Sequence, residues 1–378
     1  MNLSITRRVA YAPSVEFVER KGVGHPDTIC DALAEQLARR LATGFLENTG
    51  AIQHFNVDKA ILAAGTVDVD FGGGTITKQA RLILVGKANT VGWSPDMDAL
   101  KMAAEHDLAE LLPDADPDAF DLDIWLSQSS SDLALVNSSE VPMSNDTSFA
   151  AVSYPRSPLE SAVYNVEHYL NSNDFRSRIP VGRDIKVMGS RTSETQITVA
   201  VPVLANQVTS RADYDAAISE VATAASAIGA EDLGGSVAVS VNGADSDDSP
   251  YLTLSGTSAE AGDDGQVGRG NRFGGLITPY RPMSLEAAAG KNPAAHVGKT
   301  YHAIAYDIAR RVVDEAGAAE ATVRLLSRIG APVTDPQVTH IEVSGEVDDG
   351  QINSIAKESL ADWDGVRDRL VAGQYELY

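Results

Sequence analysis

The chain has 378 residues, 43% of them hydrophobic, and its 53 acidic and 30 basic residues give a formal net charge of −23. That length allows two or three domains, while a field of this sign repels nucleic acid and anionic membranes, so neither is an expected partner. No stretch approaches 18 apolar residues, no apolar segment of a signal peptide follows residues 1–10, and the single cysteine, Cys30, fits a reducing compartment, so we expect a cytoplasmic protein.

The first half of the chain mixes short strands with helices. Residues 14–20 are typical of a strand, which is followed by a glycine turn at 21–24. A helix is predicted from Pro26, because proline followed by aspartate favours a helix start and because apolar residues then recur every four positions. Further elements are predicted in the order strands at 59–69 and 81–85, a helix at 96–112, an acidic loop at 114–123 and a helix at 159–170.

The second half continues the mixture. Its predicted elements are strands within 184–204, an alanine-rich helix at 214–228, strands at 237–241 and 251–254, a glycine-rich loop at 262–275, a helix at 296–316 and a strand at 339–343. The strict alternation of strand and helix along the chain, which is typical of a parallel, doubly wound sheet, is missing. This favours an α+β fold. No linker divides the chain cleanly, so domain boundaries within residues 1–378 are not predicted.

Two familiar phosphate-binding motifs are incomplete. Gly298-Lys299-Thr300 matches the end of a Walker A loop, but Pro293 stands where the first glycine is required. Residues 268–273 nearly spell a dinucleotide-binding fingerprint, but Phe273 occupies the last glycine position and no strand–turn–helix pattern surrounds it. We therefore predict neither a P-loop nor a Rossmann site.

The segment at 19–31, ERKGVGHPDTICD, combines features of an anion and metal site. Its glycines let the backbone approach a ligand, and the helix that follows directs its positive end at the same place. His25 can hydrogen-bond a phosphate oxygen, while Asp27 and Asp31, four residues apart, share a helix face and offer oxygen ligands to Mg²⁺. A capped helix, with Asp27 as a capping acid and His25 as a turn residue, is an equal alternative.

The segment at 268–299 reverses the charge of the chain. It carries one acid, Glu286, and five cations, namely Arg269, Arg272, Arg281, Lys291 and Lys299. Arginine binds phosphate bidentately and lysine binds it as a point charge. A basic loop that pairs with acidic surface elsewhere is the structural alternative, but the density of glycines favours anion binding.

Together these segments resemble the archaeal-type S-adenosylmethionine synthetases. A GHPD turn before an ICD helix and the block GRGNRFGGLITPYRPMSLEAAAGKNPAAHVGK resemble the signatures of that family, the second over about thirty residues. Three stretches between them also match, at 56–59, 71–74 and 145–149. The similarity therefore extends over most of the chain.

The resemblance implies three similar, interleaved α+β domains with mixed or antiparallel sheets, in a homodimer with its active site between subunits; pairing of dimers into tetramers stays open. It also implies the reaction of a methionine adenosyltransferase, in which the sulfur of L-methionine attacks C5′ of ATP and expels triphosphate, which is then hydrolysed to pyrophosphate and phosphate. The thioether is already nucleophilic, so the protein must mainly align the substrates and stabilise the leaving group. Mg²⁺ is the implied cofactor, with K⁺ as an open addition.

The resemblance also implies roles for single residues. The implied catalytic residues are His25 at the bond between C5′ and triphosphate, and Arg269 and Lys291 on the triphosphate itself. Asp27 would hold Mg²⁺, with Asp31 supporting it or helping a second ion. The implied ATP and triphosphate contacts are Gln128, Ser129, Ser130, Ser131, Asp132, Leu133, Arg272, Lys299, Asn145 and Asp146. Asp58, Lys59 and Thr75 belong to the methionine side, and His296 is either a phosphate contact or a solvent-facing residue at a helix start.

The sequence departs from the family pattern at two places. Ser129, Ser130 and Ser131 stand where glycine is usual, and Thr75 replaces a common glutamate that is expected to contact the methionine ammonium. Two alternatives stay open for this reason, a non-catalytic nucleotide-binding relative with a regulatory or scaffolding role and an enzyme with a different amino-acid substrate. An unrelated kinase or ligase has no supporting motif.

Overall fold

A computed structural model describes residues 2–90, 92–128, 141–246 and 249–378. The strands are β1 Leu3–Arg7, β2 Glu16–Lys21, β3 Phe55–Ala63, β4 Thr66–Asp70, β5 Gly73–Lys78, β6 Ala80–Ala88, β7 Phe120–Gln128, β8 Phe149–Tyr154, β9 Lys186–Arg191, β10 Thr195–Ala200, β11 Val203–Leu204, β12 Ala238–Val241, β13 Leu252–Thr253, β14 Gly265–Gln266, β15 Glu320–Leu326 and β16 Val338–Ser344. The helices are α1 Pro26–Thr49, α2 Met97–Leu111, α3 Pro158–Leu170, α4 Asn173–Arg176, α5 Arg211–Leu233, α6 Val297–Asp314, α7 Asp349–Ala361 and α8 Trp363–Val371.

Three four-stranded sheets share one pattern of pairing. Their orders are β1-β16-β15-β8, β12-β10-β9-β2 and β14-β3-β6-β7. In each sheet three strands pair antiparallel and one edge strand pairs parallel, namely β1 with β16, β12 with β10 and β7 with β6. Each sheet also takes strands from distant parts of the chain, so the α+β fold with mixed, interleaved sheets is confirmed. The domain boundaries stay undetermined.

Helices cover one side of each sheet and form a separate core with it. Helix α1 packs on β3 and against α2, α3 packs on β9 and against α5, and α6 packs on β8 and β15 and against α7. The apolar residues of these contacts form three buried clusters, one for each sheet. Burial of apolar surface on one face of a sheet is the main stabilising contribution in such a layer.

Most predicted elements are confirmed within a few residues, and several were missed. The prediction of a loop over 114–123 is wrong at its end, because β7 begins at Phe120. The predicted strand at 59–69 is two strands, since β3 ends at Ala63 and β4 begins at Thr66. Strands β1, β8 and β15 and helices α7 and α8 were not predicted. Among the described residues, none of the helices is long and apolar enough to cross a membrane.

The turn that precedes α1 is held against the segment just before β9. The backbone N–H of Gly22 donates to the carbonyl of Ile185 at 2.8 Å, and that of Gly24 donates to Arg183 at 3.0 Å. A Cβ atom at Gly24 would lie 2.6 Å from the backbone nitrogen of Asp184, so only glycine allows this approach. The turn between β2 and α1 is thereby fixed to the segment that leads into β9.

Candidate active site

His25 caps helix α1 through its imidazole. Its Nδ1 accepts a hydrogen bond from the backbone N–H of Asp27 at 3.1 Å, and the residue is only 8% exposed. Burial and the nearby Lys21 ammonium lower the pKa of His25 to about 4, so the ring is neutral at pH 7. Since Nδ1 is an acceptor, the single ring proton lies on Nε2, which is then a donor. His25 thus supplies the helix cap that the capped-helix alternative had given to Asp27, and its Nε2 remains available to a ligand.

Three carboxylates along α1 anchor the late glycine-rich segment. Asp27 accepts from the backbone N–H of Gln266 at 2.9 Å. Asp31, one turn later, accepts from that of Gly268 at 2.9 Å, and Glu35 accepts from that of Gly290 at 3.0 Å. A spacing of four residues places all three acids on the same helix face. The early turn and the late segment are thus brought together within one chain.

The contact at the glycine-rich loop is very close. A Cβ atom at Gly270 would lie 2.6 Å from Oδ2 of Asp31. The side-chain amide of Asn271 bonds to both backbone groups of Lys21, accepting from its N–H at 3.0 Å and donating to its carbonyl at 2.8 Å. The Lys21 ammonium in turn donates to Asp27 and to the carbonyl of Arg269, each at 2.8 Å. Asn271 therefore acts like a strand partner that docks the loop on β2.

The two arginines of this loop differ in their surroundings. Arg269 is exposed, whereas Arg272 is half-buried. Burial lowers the pKa of Arg272, and the neighbouring Asp31 carboxylate opposes that shift. Its Nε has no hydrogen-bond partner among the described residues. Both arginines, as predicted, lie on the loop that contacts the early turn.

Lys291 lies in a second cluster. Its Nζ is 2.9 Å from Asp58 and 3.0 Å from Glu286, and Asp58 also pairs with Lys59. Burial raises the pKa of Asp58, but the Lys291 and Lys59 ammonium groups more than offset this, so the pKa lies below its usual range. The family resemblance had implied a place on the methionine side for Asp58 and Lys59 and a triphosphate contact for Lys291. In the structure, Lys291 and Asp58 are direct partners.

His296 lies beside this cluster and caps α6 as His25 caps α1. Its Nδ1 accepts from the N–H of Gly298 at 3.2 Å, and burial together with Lys291 lowers the pKa of the ring to about 3. The residue is 6% exposed, so the alternative of a solvent-facing histidine is wrong. Its role as a phosphate contact stays a prediction.

The surroundings of Lys299 differ from those expected of a residue that binds triphosphate. It is 1% exposed, and its Nζ donates to Glu35 at 2.6 Å. Burial lowers its pKa, while Glu35 raises it. Because this ammonium is almost fully buried, a phosphate could contact it only after the surrounding residues move, at a substantial cost. The structural alternative of pairing with an acid fits Lys299 better, and it also fits Arg281, whose Nε is 3.2 Å from Glu160.

The predicted nucleotide segment is only partly described. Gln128 is the exposed last residue of β7 and donates to Thr90 at 3.4 Å. Residues 129–133, the predicted contacts Ser129, Ser130, Ser131, Asp132 and Leu133, lie outside the described residues. Gln128 pairs across to Ala88, which pairs with Phe55 at the start of β3. Gln128 therefore lies at the same end of this sheet as Phe55, on the edge strand.

Asn145 lies next to His296, whereas Thr75 lies on a separate β-hairpin. The backbone N–H of Asn145 donates to Ala295 at 3.2 Å, next to His296, and its side-chain oxygen is buried without a partner among the described residues. Asp146 is exposed, and its carboxylate accepts from the N–H of Thr147 at 2.7 Å. Thr75 is exposed on β5, which pairs with β4 in a separate two-stranded sheet. The described contacts of Thr75 lie within this hairpin and not with Asp58 or Lys59.

Two groups of side chains could hold a cation. Oδ2 of Asp31 is buried without a hydrogen-bond partner among the described residues, and burial raises the pKa of Asp31 to about 7. An orphaned carboxylate oxygen beside Asp27 suits a hard cation such as Mg²⁺. Asp58, Glu286 and His296 form the other group, with ligand atoms within 4.8 Å of one another. There the Lys291 ammonium already bonds to both carboxylates.

The site and the fold agree with a known enzyme family. A family model described as S-adenosylmethionine synthetase matches residues 3–374. The chain belongs to the S-adenosylmethionine synthetase family. The predictions of this family and of a methionine adenosyltransferase are thereby confirmed.

Three similar S-adenosylmethionine synthetases illustrate the relationship. A probable S-adenosylmethionine synthase of Aquifex aeolicus is 42% identical over 375 residues, with 94% of both chains covered. The S-adenosylmethionine synthase of Pyrobaculum neutrophilum is 39% identical, with 96% of both chains covered. The solved structure of an unusual S-adenosylmethionine synthetase from Campylobacter jejuni has a TM-score of 0.57 and 15% identity, covering 94% of this chain and 88% of that one. This last similarity supports the fold alone.

The sequence analysis gave no role to several residues of this S-adenosylmethionine synthetase that contact the site. Lys21 and Asn271 lie inside the two recognised segments, but neither had been given a role. Glu35 continues the four-residue spacing of Asp27 and Asp31, which was a usable signal. Glu286 is the lone acid among the five late cations, and its bond to Lys291 explains its presence.

Proposed function

We propose that this chain makes S-adenosylmethionine by attack of the methionine sulfur on C5′ of ATP, with release of triphosphate and its hydrolysis to pyrophosphate and phosphate. The observation that carries the proposal is the contact between the early turn and the late loop. Asp27, Asp31 and Lys21 bond to the backbone of Gln266, Gly268 and Arg269, so the turn that carries His25 is joined to the loop that carries Arg269 and Arg272. A polyphosphate is the ligand that needs such a set.

His25 and the arginines have separate tasks in this mechanism. The Nε2–H of neutral His25 donates a hydrogen bond to the oxygen that leaves C5′, which stabilises the charge that develops there. Arg269 and Arg272 bind the phosphate oxygens of the leaving group. No general base is needed because the thioether sulfur carries no proton. Since His25 starts neutral, it can also donate without first being charged.

Asp27 and Asp31 fit a divalent cation. Asp31 offers a buried oxygen without a partner among the described residues, and its carboxyl is costly to ionise until a cation arrives. When bound, Mg²⁺ would neutralise phosphate charge at this place. The Lys21 ammonium, now on Asp27, would then be free to turn toward phosphate. K⁺ stays a prediction from the family resemblance.

A second copy of the chain is the proposed partner. On the face of the sheet β14-β3-β6-β7 that faces away from α1, apolar side chains are exposed among the described residues, with Ile61 59%, Val85 36% and Trp125 54% exposed. Val85 and Trp125 are neighbours across paired strands, so this patch is continuous. An exposed apolar face of this kind marks an interaction surface. A homodimer through this face would place Gln128, at the end of β7, beside the partner subunit.

One assay separates this function from its alternatives. The purified chain is incubated with ATP, methionine, Mg²⁺ and K⁺, and all products are identified by mass spectrometry and phosphate analysis. We expect the sulfonium product with equal amounts of pyrophosphate and phosphate. ADP or AMP would indicate a kinase or ligase, and nucleotide binding without turnover would indicate a non-catalytic relative. A panel of thioether amino acids in the same assay tests whether Thr75 changes the preferred substrate.

A further inference from the structure

The orientation of Arg272 depends on a tight turn. Within residues 272–276, the N–H of Arg272 donates to Leu276 at 3.0 Å and the N–H of Gly275 donates back to Arg272 at 2.8 Å. Gly274 and Gly275 both have positive φ angles, 91° and 82°, which residues other than glycine rarely adopt. Such a turn has little rigidity of its own, so outside contacts must hold it.

The segment at 373–378 supplies part of that support. The N–H of Gly274 donates to the backbone carbonyl of Glu376 at 2.9 Å. The Glu376 carboxylate lies directly over Gly275, where an added Cβ atom would collide with it. Glycine at 275 is therefore required both by its φ and by the approach of Glu376.

Two arginines complete the support. Arg156 donates to the carbonyl of Gly274 at 2.8 Å, and Arg20 donates to the carbonyl of Gly275. The same two arginines flank Glu376, with Arg20 at 3.1 Å and Arg156 at 3.0 Å from its carboxylate. Glu376 thus links both guanidinium groups while they hold the two carbonyls of the turn.

The two arginines depend on Glu376 to different degrees. Arg20 is 5% exposed and keeps a second acid, Glu167, whereas Glu376 is the one carboxylate paired with Arg156 among the described residues. Arg156 otherwise lies over the ring of Tyr164 at 3.5 Å. Loss of the Glu376 charge would leave two like charges side by side and remove the carboxylate that helps to hold Arg156 at the turn.

We propose that Glu376 is a positioning residue, which holds the turn at 272–276 so that Arg272 faces the bound polyphosphate. This inference rests on the proposed function, because it assigns Arg272 to the leaving group. Glu376 itself needs no contact with substrate. Its effect therefore falls on polyphosphate binding and on ATP rather than on methionine.

Glu376→Gln tests this role, since it removes the charge and keeps the size and the backbone contact. Binding of inorganic tripolyphosphate with Mg²⁺ is measured by calorimetry, and KM is measured for ATP and for methionine. We expect the tripolyphosphate Kd and the KM for ATP to rise about fivefold or more, with the methionine KM within about twofold. Glu376→Asp keeps the charge and should recover part of the loss.

Two controls distinguish a positioning effect on Arg272 from a general destabilisation of the protein. Glu358→Gln removes an exposed carboxylate that pairs with Arg311 on another part of the surface, and it should change neither constant. In an Arg272→Ala background, Glu376→Gln should have less than about a twofold further effect, because a residue that acts through Arg272 has nothing left to position. An undiminished effect in that background, or equal rises of both KM values, overturns the proposal.

Failure of the proposed function can be distinguished from failure of the proposed role of Glu376. A wild-type chain that binds tripolyphosphate but makes no S-adenosylmethionine contradicts the proposed reaction, and the Glu376 variants then still test positioning through tripolyphosphate binding alone. A wild-type chain that does neither overturns both.

Discussion

The Lys21 ammonium lies 2.8 Å from the Asp27 carboxylate and 2.8 Å from the carbonyl of Arg269. Its side chain is 12% exposed, and it pairs directly with the first predicted metal ligand. One lysine therefore joins the start of α1 to the late loop. That position gives Lys21 two effects, on the geometry of the loop and on the charge at Asp27.

Replacing Lys21 by methionine should lower turnover by about tenfold or more, because it removes both the link to Arg269 and a positive charge beside the leaving group. Steady-state kinetics with ATP and methionine measure this. Lys186→Met is a matched control, because Lys186 pairs with Lys21 across β9 and β2 but bonds to Glu19 instead. Equal losses in the two variants would contradict a specific role for Lys21.

The chemistry of His25 can be separated from its capping of α1. Asparagine is also a good N-cap, so His25→Asn should keep the melting temperature within about 2 °C while it lowers turnover by about 10²-fold. His25→Ala should lose both turnover and stability, the latter by about 1 kcal/mol. Calorimetry and kinetics on the two variants provide the measurement. Wild-type turnover in His25→Asn would remove the imidazole from the mechanism.

Arg269 and Lys291 test the triphosphate role from two sides of the site. Arg269→Ala and Lys291→Ala should each lower turnover at least about tenfold, a loss of ~1.4 kcal/mol in transition-state stabilisation. Arg269 is the cleaner test, because it is exposed and its loss should leave the melting temperature unchanged. Arg178→Ala, at an exposed surface pair with Asp174, is the control. Unchanged turnover in both site variants would contradict the triphosphate role.

The buried Asp31 carboxyl predicts a dependence of stability on pH. Burial raises its pKa to about 7, above the value of about 3.8 expected when the chain is unfolded. Between these values the folded state binds more protons than the unfolded state, so this group lowers the free energy of unfolding as pH rises from about 4 to 7. Asp31→Asn cannot ionise and should melt higher than wild type by about 2 °C or more at pH 8.

The difference between wild type and Asp31→Asn should shrink toward pH 4, where the wild-type carboxyl is protonated as well. Melting curves at both pH values, without divalent cations, measure it. Added Mg²⁺ should raise the melting temperature of wild type more than that of the variant, if Asp31 is a ligand. A stability difference that is the same at both pH values would show that the carboxyl does not titrate in this window.

The apolar sheet face predicts the effect of a charge on self-association. Trp125→Asp should weaken the homodimer at least about tenfold, because it buries a charge in the proposed interface, and turnover should fall as the enzyme is diluted. Sedimentation analysis measures the mass against 39.9 kDa for one chain. Met102→Asp, at a 70% exposed residue of α2, should associate as wild type does. A monomeric but fully active wild type would refute the interface.

Several elements could not have been predicted from local pattern. The edge strand β1 alternates apolar and polar residues over only five positions, and its pairing with β16, more than 300 residues away, is what makes it a strand. Strand β7 begins inside an acidic run, and its parallel pairing with β6 outweighs the loop-like composition. Strand propensity depends on such tertiary neighbours more than helix propensity does. The capped helix α1 carried all its signals locally, and its predicted start was confirmed.

The sequence alone determined the family and the two segments that carry its chemistry, because a turn such as 21–25 and a cationic loop are encoded by adjacent residues. It could not decide which charges stay free for a ligand. Only the tertiary structure pairs Lys299 with Glu35 and Lys291 with Asp58, while it leaves Arg269 exposed. The physical reason is that the state of a charge depends on burial and on its neighbours in space, and in this fold those neighbours come from segments more than 200 residues apart.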